Sequence, residues 1–505
     1  MNSDSSTISS ESVSGVNESR LVSALRRRSF GYAVAALIIA GTIVRLPHFL
    51  IPIWAERPEF HPFRQTQTLT MVREILRNGP DFSSPLPIFG PPWSVPFEFP
   101  IYQNLAGLVG IVTGLDDVMA SRIVTLFFFQ LCGLLLAVLA RRLVGPMAAL
   151  VALAIWEMSQ LTWVWAAAPT IEFTAVFFVL AALLLTVQSA GRKPSPFVFA
   201  GISALWILAF LTKLPTALVW MPFLLAVLWM TAGDPRKSLG AWARALIPVG
   251  IGGIGGLAFA AYGEAVKENS PFTLFLTRGN LTGWYYGTVE QRLDPSNWGQ
   301  IFMHANGIAG VFVAVIIASV VVAIRAEISQ KILIAGCLGS VFAAVMIFFN
   351  LYFIHDYYSL AIAPLIALLI GIIGAHIYRS VRDRSSTRRG LSVLVAFVLV
   401  LSASSWISSQ GRPALEKFVA QEWRYGQSAE IADSTLPGDG VVVLGCGWSP
   451  EVLYFADRRG LMIQSDWPPG NSKYRIPGDW VGKDVSYVFL CSDGFDVSGL
   501  FDSPV

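Results

Sequence analysis

The chain has 505 residues, 54% hydrophobic and only 14% charged, with 36 Lys and Arg against 33 Asp and Glu for a net charge of +3. A mean hydropathy of +0.58 and repeated apolar runs near the roughly 20 residues that cross a bilayer exclude an ordinary soluble globule and predict a polytopic α-helical membrane protein. The even charge balance carries no nucleic-acid footprint, and Cys132, Cys337, Cys446 and Cys491 lack the clustered spacing of a thiolate zinc site.

The first segment, 1–29, is rich in Ser, Asn and Glu and is expected to be a disordered cytoplasmic terminus. The apolar run that follows is preceded by Arg26, Arg27 and Arg28 and ends in Arg45-Leu-Pro-His48, which is the pattern of a retained anchor and not of a cleaved signal. About eleven spans are predicted over 30–410: 30–50, 121–141, 146–163, 169–189, 196–212, 214–231, 242–263, 307–325, 331–350, 357–377 and 390–408, the fifth and sixth hinged at Lys213 and Pro215. Arg141, Arg142, Arg192, Lys193, Arg236, Lys237, Arg325 and the run Arg379 to Arg389 then fall on one side, which the positive-inside rule makes the cytoplasm. An inner-membrane protein with its N-terminus cytoplasmic and its C-terminus outside is expected. Loops 52–120 and 264–306 and the segment 411–505 face outward.

Within the first outer loop, His61 to Leu76 reads as an amphipathic helix on the membrane surface, with Leu69, Val72, Ile75 and Leu76 on one side and Arg64, Gln65, Gln67 and Arg73 on the other. PLPIFGPPWSVPFEFP is too dense in Pro and Gly for a helix or central strand, and Phe89, Trp93, Phe97 and Phe99 suit a membrane interface. Ile101 to Gly114 is an apolar helix too short for a full span. In 264–306, Trp284, Tyr285 and Tyr286 offer either a sugar-stacking face or a membrane anchor. After the last span, VVVLGC (Val441 to Cys446) and SYVFLCSDG (Ser486 to Gly494) read as strands of a small α/β domain. Cys446 and Cys491 end those strands alike and are able to pair in an oxidising compartment.

Carboxylates collect at the outer rim: Glu59, Glu98, Glu172 at the start of the fourth span, and Asp356 in His355-Asp-Tyr-Tyr358. Near hydrocarbon such a group costs roughly 2.5 to 3.5 kcal/mol, so it has a partner or a task. For Glu98 the alternatives are catalysis or fixing the Pro-rich loop; for Glu172, catalysis or a favourable place at a helix N-terminus. Glu157 inside the third span suits helix packing. Arg64, Lys213, Arg278 and Arg292 lie on the same rim, where Arg offers a bidentate fork and Lys a point charge to a lipid phosphate. Lys213 equally suits snorkelling, and His355, Tyr357 and Tyr358 suit either phosphate binding or an aromatic belt.

The strings HPFRQTQT (His61 to Thr68), PPWSVPFEFPIYQ (Pro91 to Gln103), PTIEFTA (Pro169 to Ala175) and FIHDYYSLAIAP (Phe353 to Pro364), with the Lys-x-Pro turn at Lys213, resemble the GT-C superfamily of polyprenyl-phosphate-dependent glycosyltransferases, nearest to bacterial relatives of protein O-mannosyltransferases and aminoarabinose transferases. The resemblance covers about 30–410. It implies inverting transfer of a sugar from a polyprenyl-phosphate carrier to an envelope glycan, lipid or protein, with no cofactor; metal dependence stays open. In the H-x-x-R-Q-x-D-T form of the first motif an acid stands where this chain has Gln67, and an amide is no useful base near neutral pH. The base therefore falls to Glu98, Glu59 or Glu172, with Glu98 favoured, while His61, Arg64, Gln65, Lys213, Arg278, His355, Asp356, Tyr357 and Tyr358 bind substrate or lipid phosphate. The alternative class is a lipid-linked saccharide transporter or a non-catalytic envelope-assembly protein, which needs the groove and the cations without a base. Against it, the polar residues gather on one face and not at the midplane.

Overall fold

The computed structural model describes residues 11–47, 61–189, 193–410, 426–463, 475–491 and 500–501. Helices α1 (Glu11–Arg45), α2 (Pro62–Asn78), α3 (Ile101–Thr113), α4 (Asp117–Leu143), α5 (Pro146–Met158), α6 (Gln160–Trp165), α7 (Glu172–Ser189), α8 (Pro196–Val219), α9 (Met221–Ala232) and α10 (Leu239–Glu268) make up the first half. They are followed by α11 (Thr282–Tyr286), α12 (Val289–Leu293), α13 (Pro295–Ala309), α14 (Phe312–Arg325), α15 (Ile328–Ile347), α16 (Phe349–Ile354), α17 (Ala363–Arg384) and α18 (Thr387–Gln410). Among the described residues, eight helices are long and apolar enough to cross a membrane, and α13 with α14, bent by 74°, make a ninth candidate. The predicted segments 146–163 and 214–231 are interrupted: Ser159 separates α5 from α6, and α8 runs through to Val219 before α9. Residues 11–29 were expected to be disordered, yet 11–29 continue α1. Propagation from a nucleated span adds a hydrogen bond for each residue fixed, which outweighs weak local propensity.

The core is a layered bundle in which α17, the most enclosed span, lies against α5 with the backbone of Gly371 close to Ala148. Trp156, Trp165, Trp206 and Trp220 fill it. An ion pair ties α1 to α5 within it: Arg45 Nη1 meets Glu157 Oε2 at 2.9 Å, and the Arg45 guanidinium lies 4.4 Å from the Phe129 ring centroid. Glu157 is thus a packing residue, its Oε2 and its backbone carbonyl both accepting from Arg45 (2.9 and 2.6 Å).

The C-terminal segment forms a parallel sheet of β1 (Gly440–Leu444), β2 (Arg459–Ile463) and β3 (Tyr487–Leu490) in the order β2-β1-β3, with helices α19 (residues 426–434) and α20 (Glu451–Ala456). Strand β3 falls within its predicted run and β1 begins one residue before its own, and a disulfide joins Cys446 to Cys491 across a Cα separation of 5.5 Å. The domain does not stand apart from the first outer loop. Gly460 and Met462 donate their N–H groups to Pro87 and Ile88, and Gly90 donates to Gly460, so the Pro-rich loop extends the sheet beyond β2. Leu86, Ile88, Phe89 and Val95 share one buried core with Val441, Val443, Val452, Leu453 and Met462.

Two expectations for the loop are corrected by this. Its aromatics were placed at a membrane interface, but Phe89 is buried in the domain core and Phe97 stacks on Trp448. Helix α2 was expected to lie on the membrane surface with a solvated polar side, but Gln65, Thr66, Gln67 and Thr68 are buried with Leu69, Val72 and Ile75. Burying apolar surface on both of its sides is what holds it there. Its apolar side meets α3 so closely that a Cβ on Gly107 would fall 2.3 Å from Ile75 Cγ2. Its far end is tied to the domain: Arg73 bonds Asp117 Oδ2 (2.9 Å) and Tyr454 O (2.6 Å), and Tyr454 Oη donates to Asp117 Oδ2 (3.1 Å).

Candidate active site

The site is built around a defect in α8. Pro215 has no N–H to donate to Leu211 O, so the helix opens: Lys213 is extended at φ −162°, ψ 95°. The released Leu211 carbonyl accepts the N–H of Phe99 at 3.1 Å. One break therefore turns the Lys213 side chain out of its helix and anchors the residue next to Glu98 beside it. Lys213 Nζ meets Glu172 Oε1 and stands 4.0 Å from the Tyr358 ring centroid. Glu172 is 1% exposed and opens α7, where the helix dipole favours its charge.

Glu98 faces α2. Its Oε1 accepts from Arg64 Nη2 (2.9 Å) and Gln103 Nε2 (3.2 Å), while Arg64 Nη1 donates to Gln67 Oε1 (2.6 Å). Gln67, in the motif position of the missing acid, is thus an acceptor for Arg64. Burial alone would lower the Arg64 pKa, but the charges of Glu98 and then Glu172 outweigh it and hold the guanidinium above its usual range. The Glu98 side chain keeps 13% exposure, so the carboxylate is not sealed off.

His61 precedes Pro62, the first residue of α2, and sits in the left-handed region (φ 47°), uncommon for a residue with a Cβ. Its Nε2 lies 3.3 Å from Asp356 Oδ1, and its ring contacts Trp165, His355 and Tyr357. His355, Tyr357 and Tyr358 form a stack on the 3-10 turn Asp356–Ala361, with Trp284, 48% exposed, over the His355 edge. Burial, reinforced by neighbouring His61, pushes the His355 pKa down to about 3, so this imidazole is neutral at pH 7. Burial pushes the Tyr357 and Tyr358 phenols well up, keeping both protonated.

The structure thus brings together His61, Arg64, Glu98, Glu172, Lys213, Asp356, Tyr357 and Tyr358, with Gln65 buried in the same first turn of α2. Glu59 lies outside the described residues. Arg278 is on the rim, exposed, its backbone N–H donating to Glu264 Oε2 at 2.6 Å. Arg292 is committed elsewhere: its guanidinium donates to the carbonyls of Thr288, Tyr286 and Met346. Tyr286 is half-buried and stacks on Phe348, whereas Trp284 meets His355 and Tyr285 lies near enough to Glu98, Arg64 and Tyr358 to feel their charges, so two of the three aromatics in that loop border the site. Sequence reasoning missed Gln103, legible only as a neighbour of Glu98 within PFEFPIYQ, and it missed Trp448, for which no local signal exists. Between α1 and α4 a groove of about 930 Å³, lined by Ile38, Ile43, Leu46, Ile123 and Phe127, opens at the same end of the bundle. Among the described residues no group of three or more His, Cys, Asp or Glu is placed to hold a metal ion.

Residues 100–250 match the family model described as dolichyl-phosphate-mannose-protein mannosyltransferase. No curated protein sequence matches the chain. Among solved structures, the archaeal oligosaccharyltransferase AglB from Archaeoglobus fulgidus, in complex with an inhibitory peptide and a dolichol-phosphate, aligns with a TM-score of 0.50 at 12% identity, over 86% of this chain and 64% of that one. ArnT from Cupriavidus metallidurans aligns with TM-scores of 0.45 in the apo state (14% identity, 86% of each chain) and 0.48 bound to undecaprenyl phosphate (12% identity, 84% of this chain and 86% of that one). The fold is GT-C-like, a multi-pass helical membrane body with a small C-terminal sheet.

Proposed function

We propose that this GT-C-fold membrane protein transfers a sugar from a polyprenyl-phosphate carrier to an acceptor hydroxyl in the cell envelope, on the outer face of the cytoplasmic membrane. The observation that carries the reading is that, among the described residues, Glu98 is paired with Arg64 and Gln103 through one oxygen. Both donors meet Oε1, which leaves Oε2 to take the proton of an incoming hydroxyl. As the acceptor oxygen bonds to the anomeric carbon, the bond from that carbon to the carrier phosphate breaks on the opposite side, and the phosphate leaves with the electron pair. Arg64 and Lys213 supply positive charge for the departing phosphate, where low dielectric makes it effective. Inversion at the anomeric carbon follows from this single displacement.

The orientation rests on helix polarity. Asp117 opens α4 beside the C-terminal domain, whereas Arg141 and Arg142 close it, and Arg325, Arg382 and Arg384 likewise close α14 and α17. Positive ends on the cytoplasmic side support a reading in which the site and the disulfide-bearing domain face outward. The groove between α1 and α4 suits the isoprenoid tail, and an envelope glycan, lipid or protein suits the acceptor side.

The reading is tested with the full chain in lipid nanodiscs, supplied with polyprenyl-phosphate sugars and an envelope extract, by mass analysis of released polyprenyl phosphate. Glu98→Gln is expected to lower release by about 100-fold or more, in keeping with the loss of a general base, with membrane insertion intact. Retained turnover would move the base to Glu172 or Glu59, and no release by the wild type from any donor would reject transfer.

A further inference from the structure

We infer that Trp448, contributed by the C-terminal domain, is a positioning residue that sets the Arg64–Glu98 pair; the inference rests on the transfer reading above only for its kinetic consequence. Trp448 is half-buried and is the meeting point of four aromatic rings. Phe63 packs edge-on at 4.5 Å between ring centroids and Phe97 stacks at 6.3 Å, while Phe89 and Phe275 each lie 5.8 Å away.

Two of these rings stand directly before the paired residues in sequence: Phe63 precedes Arg64, and Phe97 precedes Glu98. The salt bridge joins two segments of different kind, the first turn of α2 and the bend at 97–98 that ends the Pro-rich loop. The Glu98 segment is held on one side by Phe99 N–H on Leu211 O (3.1 Å) and by Gln103 on Glu98 Oε1 (3.2 Å), and Trp448 packs on the side that faces Phe63. Trp448 touches both, so its indole sets the distance between the two backbones and hence between guanidinium and carboxylate.

The indole is itself well fixed. Trp448 follows β1 by a short turn with Gly445 and Gly447 at positive φ (+85° and +67°), and the Cys446–Cys491 disulfide clamps the end of β1 to the end of β3. Gln427 from α19 donates to Cys491 O at 3.1 Å. The C-terminal domain thereby reaches the Arg64–Glu98 pair through the Trp448 indole, and shifts of about 1 Å in reacting groups are worth as much as roughly 100-fold in rate.

The test compares Trp448→Ala, Trp448→Leu and Trp448→Phe in the full chain in nanodiscs. Hydrogen exchange is followed in peptides spanning 61–68 and 96–103, with 146–158 and 363–384 as internal references. Ala and Leu are expected to speed exchange in both site segments while the reference helices stay unchanged, and Phe is expected to restore most of the protection. In transfer assays Ala is expected to lower kcat about 10-fold with the donor KM unchanged, and to cause no further loss on a Glu98→Gln background. Unchanged exchange at 61–68 and 96–103, or a rise shared by the reference helices in both Ala and Leu, overturns the inference. A wild type that transfers nothing rejects the transfer reading instead, and the exchange pattern still decides the role of Trp448.

Discussion

The carbonyl of Leu211 accepts the N–H of Phe99 at 3.1 Å because Pro215, four residues further along the same helix, has no N–H to offer it. A single imino acid thus opens α8, extends Lys213 and docks the Glu98 loop. Replacing Pro215 with Ala supplies a competing intrahelical donor and relieves the ring clash. Turnover is expected to fall about 10-fold or more while thermal stability holds or rises, measured by polyprenyl-phosphate release and by differential scanning fluorimetry. Wild-type turnover in Pro215→Ala would show that the break has no part in placing Glu98.

Arg64 holds two acceptors at once, Glu98 and Gln67, through two separate guanidinium nitrogens. Lysine presents one ammonium and no planar fork. Arg64→Lys is therefore expected to keep the charge yet lose most transfer activity, with Gln67→Glu on the wild-type background milder, since a carboxylate there accepts the same bond. Equal kinetics for Arg64→Lys and wild type would count against a geometric role for the fork.

The buried Glu172–Lys213 pair makes a stability prediction. Removing one partner leaves an uncompensated charge, which costs about 3–5 kcal/mol, whereas replacing both with apolar groups of similar volume is often close to neutral. Lys213→Met alone should lower the melting temperature sharply, and Glu172→Leu with Lys213→Met should recover much of it while remaining inactive. A double variant less stable than both single ones would contradict the pairing.

His355 is neutral in the folded protein, with its pKa pushed down to about 3 by burial and by His61, while Asp356 opposes that shift and Lys213 and His304 add to it. The unfolded chain takes up this proton near pH 6.5. Because the unfolded state binds more protons, stability is full above about pH 6.5 and is lost as pH falls from there toward 3. Melting temperature between pH 7.5 and 5 should drop less steeply in His355→Asn than in wild type; parallel slopes would assign the acid sensitivity to other groups.

The Cys446–Cys491 disulfide closes 45 residues of chain. In the chain-entropy account such a cross-link stabilises by about 2–4 kcal/mol. Reduction should lower the unfolding temperature of the C-terminal domain, and protease should then cut first near 446–463 and not in the spans. An unchanged melting profile under reduction would rule out this clamp.

The solvent for which this chain is built, the approximate spans and the two strands β1 and β3 are legible in one dimension, because run length, hydropathy and β-propensity are local and need no partner. The sequence also placed Glu98, Glu172, Arg64 and the His355 to Tyr358 group at one rim, since charged residues beside hydrocarbon stand out in one dimension. Which of them touch was decided only by the tertiary structure. Arg64 reaches Glu98 across 34 residues and Arg73 reaches Tyr454 across 381, contacts that no periodicity encodes. The Pro-rich loop gave the wrong impression for a related reason. Its aromatics are as suited to a bilayer interface as to a protein core, and only the edge of β2, formed far away in the chain, satisfies its backbone and covers Phe89.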